Sequence, residues 1–134
     1  MMFLEAYLEN CRSRRFNWRD WNCVHFTGGW VLRAEGIDAL APYTRPTLTA
    51  LEAARYARTF GSLDAACTLA LARDPLPPLA ACVGDIVFFD GAGAAGTLGI
   101  CNGVSATVLA PTEGFSSTPM SQAKFVWKIR HASE

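Results

Sequence analysis

Apolar residues recur at helical spacing through the first half of the chain and at strand spacing through the second. In residues 2 to 13, Phe3, Leu4, Tyr7, Leu8 and Cys11 share one side, with Glu5, Glu9 and Arg12 elsewhere, which predicts an amphipathic helix with Cys11 as packing. A second helix is predicted from about 21 to 34, capped by Asp20, with Cys23, Phe26 and Trp30 on one side and Gly36 as its stop. Gly28-Gly29 inside it costs helix stability, so another backbone, such as a sheet, comes close there, or else the helix bends. Residues 36 to 48 read as a loop with Pro42 and Pro46. Thr49-Ala50-Leu51-Glu52 has the capping-box pattern and opens a helix to about Phe60, closed by Gly61. Ser62 caps the next helix, whose stripe is Leu63, Ala66, Cys67, Ala70 and Leu71, and Asp74-Pro75-Leu76-Pro77-Pro78 ends it.

After Cys82 the period changes. Gly84-Asp85 reads as a turn and 85 to 89 as a buried strand, followed by a Gly/Ala-rich hairpin loop over 90 to 96. Leu98 to Cys101 is a short strand, Asn102-Gly103 a hairpin turn, and Val104 to Ala110 a third strand. Residues 111 to 121 read as a loop. Lys124 to His131 is a last strand with Phe125, Trp127 and Ile129 on one face. Helices first and an antiparallel sheet afterwards give an α+β class, with N-terminal helices packed on a small sheet. The 134 residues are expected to form one domain over 1–134.

Composition adds limits. Hydrophobic residues make up 51% and charged residues 18%, enough for a core and too apolar for wholesale disorder. A formal net charge of +0 gives no reason to expect nucleic acid or an anionic membrane as partner. The local run Arg12, Arg14, Arg15 and Arg19 reads as a solvated helix end and loop. Cys11, Cys23, Cys67, Cys82 and Cys101 contain no C-x-x-C pair, so neither a metal site nor any other cofactor is expected. Their odd number and scatter argue against a disulfide framework and fit a reducing site of synthesis. The start of the chain lacks a basic region and a continuous apolar run, so no signal peptide is expected, and no apolar run is long enough to insert into a membrane.

The stretch with candidate chemistry is Asn22-Cys23-Val24-His25-Phe26. With Asp20 as cap, Cys23 falls at the third helical position, where the helix dipole favours thiolate, as in many cysteine nucleophiles. The competing reading is a small buried hydrophobe, since free cysteine is mostly buried and inert. Phe16, Trp18 and Trp21 form an aromatic entry walling the core beside Cys23.

Three motifs in order carry a resemblance: Asn22-Cys23-Val24-His25-Phe26, then Gly84-Asp85-Ile86-Val87-Phe88-Phe89, then Thr97-Leu98-Gly99-Ile100-Cys101. They resemble the NlpC family of papain-like cell-wall cysteine endopeptidases, with its Asp-Cys-Ser-Gly-Phe helix start, Gly-Asp-Leu-Val-Phe-Phe strand and His-Val-Gly-Ile-Tyr strand. Trp18, Gly99-Ile100-Cys101-Asn102-Gly103, Gly114-Phe115 and Trp127 are similar to the small NlpC-like proteins encoded among tail genes of siphophages and gene-transfer particles. That likeness implies a virion protein at the tail tip, made in the host cytoplasm and seated between the hub and the central fibre, with peptidoglycan as a further potential ligand.

The departures define the readings. Thr97 stands where the family has its catalytic His, and threonine is no general base near neutral pH. Asn22 stands where the family has Asp. The remaining histidines are His25, about 200° around the helix from Cys23 and so facing away, and His131, which reaches Cys23 only if the last strand lies along the helix N-terminus. The first reading is a tail-tip structural protein with a retained fold and lost peptidase chemistry, docking neighbours through Trp18 to Trp21 or residues 111 to 121. The second is an active peptidoglycan endopeptidase or amidase with Cys23 as nucleophile, His131 or His25 as base, and backbone N–H groups near Cys23 as oxyanion hole. The third is a small cytosolic α+β binding module with an inert core cysteine.

Overall fold

The computed structural model describes residues 2–47, 49–91, 96–111 and 114–130. Four helices come first: α1 (Met2–Cys11), α2 (Cys23–Glu35), α3 (Ala50–Arg58) and α4 (Leu63–Leu71). Five strands follow: β1 (Ile86–Phe89), β2 (Thr97–Cys101), β3 (Ser105–Ala110), β4 (Gly114–Pro119) and β5 (Phe125–Trp127). They form one antiparallel sheet in the order β4-β3-β2-β1-β5, so the class is α+β with the helices gathered on a small sheet.

Helix α2 is the hub of the packing. Its Phe26, Trp30 and Val31 are wholly buried, and they meet Leu4 and Tyr7 of α1 on one side and Ile86, Leu98, Ile100 and Trp127 of the sheet on the other. Two buried hydrogen bonds fix its position: the Trp30 indole N–H donates to the Gly84 carbonyl at 2.7 Å, and the Tyr7 hydroxyl to the Phe26 carbonyl at 2.6 Å. Gly28 and Gly29 do make room for neighbours, but these are side chains rather than a backbone. A Cβ on Gly28 would stand 3.0 Å from that of Leu40, and one on Gly29 would collide with the Tyr7 hydroxyl. Gly36 ends the helix in the left-handed region as predicted, at φ +75.

The central strands β1 and β2 are buried on both faces, which is why β1 reads as an unbroken apolar run. The second face carries Val87, Phe89, Cys101, Ala106, Val108 and Val126, covered by Ala80 and Ala81 of the connector and by Met120 and Ala123. Gly99 in β2 is required by the neighbouring strand, since a Cβ would lie 2.7 Å from Val108 Cγ1 and 2.8 Å from the Thr107 carbonyl oxygen.

Four expectations change. Helix α2 starts at Cys23 with Asn22 as cap, two residues later than Asp20 predicts, because 17 to 21 close on themselves: Asn17 and Trp21 bridge, and Asn17 Oδ1 accepts the Asp20 N–H at 2.6 Å. Helix α3 stops at Arg58 rather than near Phe60. The predicted loop over 111 to 121 contains β4, paired with the whole of β3 from Ser105↔Pro119 to Ala110↔Gly114. Its Ser116-Ser117-Thr118 run has no apolar alternation to announce a strand, and Phe115 supplies the only large anchor, 5.0 Å from the Phe26 ring. The last strand is three residues, Phe125–Trp127, because Lys128 and Ile129 turn to bond elsewhere. Part of the predicted 90 to 96 hairpin loop, and His131, lie outside the described residues.

Candidate functional site

Asn22 sets the geometry at the start of α2. Its side-chain oxygen accepts from the Val24 N–H at 2.9 Å and the His25 N–H at 3.4 Å, while its amide donates to the Trp18 carbonyl at 3.0 Å. His25 completes the cap from the other side, its Nδ1 accepting the Asn22 backbone N–H at 3.2 Å. His25 is therefore a capping residue, turned to the helix start. Burial pulls its imidazole below the ordinary range, with Asp20 opposing and Arg14 adding to the effect.

Cys23 is the first residue of α2, not the third. Two N–H groups that would stabilise an anion at a helix start, or form an oxyanion hole, are already held by Asn22. Cys23 is half-buried, and burial pushes its thiol above the ordinary range, only partly countered by contacts with the Leu98 backbone amide, the Thr97 side chain and nearby helix amides. Desolvation outweighs the dipole, which favours the buried-cysteine reading over the thiolate one.

Thr97, first residue of β2, lies against Cys23. The structure thus brings together the two positions that the motif order pairs. The Trp18 neighbourhood also falls where expected: Phe16 and Trp18 meet edge to face, 4.8 Å between centroids, and both border the space in front of Cys23. Of the basic run, Arg14 stacks over Trp21 at 3.7 Å and Arg12 pairs with Glu9 at 3.1 Å, as a solvated helix end does. His131 lies outside the described residues. Arg130, just before it, donates its N–H to Glu35 at 2.8 Å. Glu35 is the last residue of α2, roughly 18 Å along the helix axis from Cys23.

The space in front of Cys23 is a cleft of about 410 Å³. Its floor is α2, α4 and the β2–β3 pair; its far wall is Tyr43, Tyr56 and Phe60, three rings stacked edgewise at 4.9 and 5.2 Å. That aromatic wall was not singled out in the sequence. Tyr56 and Phe60 stand four apart at the end of a capped helix, and this spacing was the available signal. Arg45 is the one charged side chain among the described residues lining the cleft. Cys67 shares the floor and is also pushed up by burial, as a core thiol.

A second polar centre lies at the other end of α2. Arg73 grips Glu35 with two bonds of 2.7 and 2.9 Å. Burial pushes the Glu35 carboxyl up, but Arg73 and the Arg130 N–H outweigh it and leave the group below its usual range. Nearby, Asp85 is 1% exposed and accepts from the Cys82 N–H at 2.8 Å, the Ile129 N–H at 2.9 Å and Lys128 Nζ at 2.6 Å. Asp85 belongs to the strand-leading Gly-Asp motif, and here it serves as a structural anchor.

All five cysteines are unbridged. Among the described residues, no group of three or more His, Cys, Asp or Glu is placed to hold a metal ion, and no helix is long and apolar enough to cross a membrane. No curated protein and no solved structure matches the chain. Residues 2–129 match the model of a family described as a domain of unknown function, DUF6950, and the chain belongs to that family.

Proposed function

We propose that this chain is a structural component of a siphophage-type tail tip: an NlpC-like domain that has kept its fold and given up peptidase chemistry. The observation that carries the loss of chemistry is that Thr97 lines the cleft beside Cys23 and no imidazole does so among the described residues. A cysteine peptidase needs a base at the thiol, and the side chain placed there is a hydroxyl that cannot accept a proton near neutral pH. The half-buried thiol with its raised pKa, the Asn22 cap that occupies neighbouring N–H donors, and His25 bound in the same cap support the same reading. Placement in the tail, against hub and central fibre, rests on the likeness of Trp18, Gly99-Ile100-Cys101-Asn102-Gly103, Gly114-Phe115 and Trp127 to the tail-gene proteins. Peptidoglycan remains a ligand to test rather than a substrate.

Four measurements test the proposal. Purified chain incubated with cell-wall sacculi is expected to release no peptides, and Cys23→Ala is expected to leave particle assembly and infection at the wild-type titre. Thr97→His is expected to speed alkylation of Cys23 at pH 7 by about tenfold, since an imidazole beside a thiol favours thiolate. Peptide release that disappears in Cys23→Ala defeats the loss of chemistry. Purified tails that lack the chain defeat the placement.

A further inference from the structure

The cleft in front of Cys23 differs from a peptidase groove in how little hydrogen bonding it offers. An extended peptide needs donors and acceptors along its backbone. The polar groups lining this cleft are mostly engaged within the protein. Asn22 is bonded to Trp18, Val24 and His25; the Thr47 hydroxyl donates to the Trp18 carbonyl at 3.0 Å; the Tyr56 hydroxyl donates to the Pro42 carbonyl at 3.1 Å. What remains is apolar, made of alanines, aromatic rings and the Leu98 and Leu109 side chains, apart from the Tyr43 and Thr97 hydroxyls and the Cys23 thiol.

Arg45 breaks that pattern. It is exposed, its guanidinium lies 5.5 Å from the Tyr56 ring centroid, and no carboxylate of the described residues pairs with it. No acidic residue lines the cleft among the described residues. The charge is therefore one-sided: an apolar body with a single cation at its mouth. A volume of about 410 Å³ falls within the roughly 300–1,000 Å³ of small-molecule sites, which are apolar with a few placed polar groups.

We infer that this cleft is a binding site for a small apolar carboxylate, of the medium-chain fatty-acid class. Its chain lies between the Phe16–Trp18 pair and the Tyr43–Tyr56–Phe60 wall, with its head group on Arg45. An arginine over an aromatic face is held in place for a carboxylate, and its planar fork matches that group. The site stands on the cleft alone and does not depend on where the chain is assembled.

The test compares decanoate with decyltrimethylammonium, the same tail length with opposite heads, each below its micelle concentration. Calorimetry measures affinity on the full chain, and protection of Cys23 from N-ethylmaleimide reports the position. Decanoate is expected to bind about fivefold or more tighter than the ammonium and to protect Cys23. Arg45→Gln is expected to erase the preference between heads while leaving the tail contribution. Ala53→Trp narrows the cleft from a half-buried position and is expected to abolish binding of both, with Ala57→Leu as a milder filling variant if Ala53→Trp lowers the melting temperature. Four results overturn the inference: no binding of decanoate, equal binding of both heads, a preference that survives Arg45→Gln, or binding untouched by a filling variant that folds.

Discussion

The two ends of α2 are built on opposite plans. At its C-terminal end, polar groups converge: Glu35 takes Arg73 and the Arg130 N–H, and the neighbouring Asp85 takes two N–H groups and Lys128. At its N-terminal end the cap is satisfied by Asn22 and His25, and beyond it lies an apolar cleft with one cation at its mouth. The first end fixes the helix to the tail of the sheet. The second leaves room. Where the start of α2 faces β2 the cleft is lined by a thiol and a hydroxyl, while the ionic interactions are concentrated at the far end of the helix. Stability and ligand access are thus separated by the length of one helix, and substitutions at the two ends are expected to have different effects.

The largest effect is expected at Asp85. Asp85→Ala strands two backbone N–H groups and the Lys128 ammonium, and breaking a buried charged network from one side costs about 3–5 kcal/mol. The Lys128 side chain is 42% exposed and its ammonium can turn to water, which places the expectation at the lower end. Urea unfolding measures it; a loss below about 1 kcal/mol would show that the anchor is not needed. Glu35→Gln comes next, at about 2 kcal/mol, because one carboxylate serves both a bidentate arginine and a backbone N–H. Its pH signature has a definite sign. The folded carboxyl sits below its ordinary value, so its stabilisation is present above the unfolded value of about 4.3 and is lost as pH falls through the lower folded one. Glu35→Gln is expected to flatten the acid limb of the stability curve. Neither variant is expected to alter ligand binding in the cleft, so a changed affinity in either would join the two ends.

What the sequence made legible follows from range. Local signals were readable: the Ser62 and Thr49 caps, the Gly36 stop, the α1 stripe and the β1–β2 pair all depend on residues a few positions apart. Cys23 and Thr97 each fall at the first residue of an element, and both line the same cleft. Three features were out of reach. Asp85 reads as a turn residue from its neighbours, yet one of its partners is 44 residues away. Strand β4 is serine- and threonine-rich, and its identity comes from pairing with β3 rather than from hydrophobic alternation. The state of Cys23 is decided by competition: a helix start favours thiolate, and burial among strand, helix and aromatic walls disfavours it more. Burial is a tertiary quantity, so local reasoning offered both a dipole-favoured thiolate and a buried, inert thiol and had no means to decide between them.

The smallest expected effect lies in the cap, and it separates the two ends most cleanly. His25 Nδ1 must be unprotonated to accept the Asn22 N–H, and burial holds the imidazole below its ordinary value. The unfolded chain therefore binds a proton more readily than the folded one. The stabilisation from this cap is present above the unfolded value of about 6.5 and is lost as pH falls through the lower folded value. This window lies above that of Glu35, so the start of α2 is expected to loosen before its end. His25→Ala is expected to cost about 1 kcal/mol at pH 7.5 and much less at pH 5, with hydrogen exchange at Cys23 to Phe26 reporting the change. An equal cost at both pH values would mean that His25 contributes by packing alone. A loss of protection that spreads to Glu35 would mean that the helix opens as one unit, and the separation of its two ends would then be architectural rather than energetic.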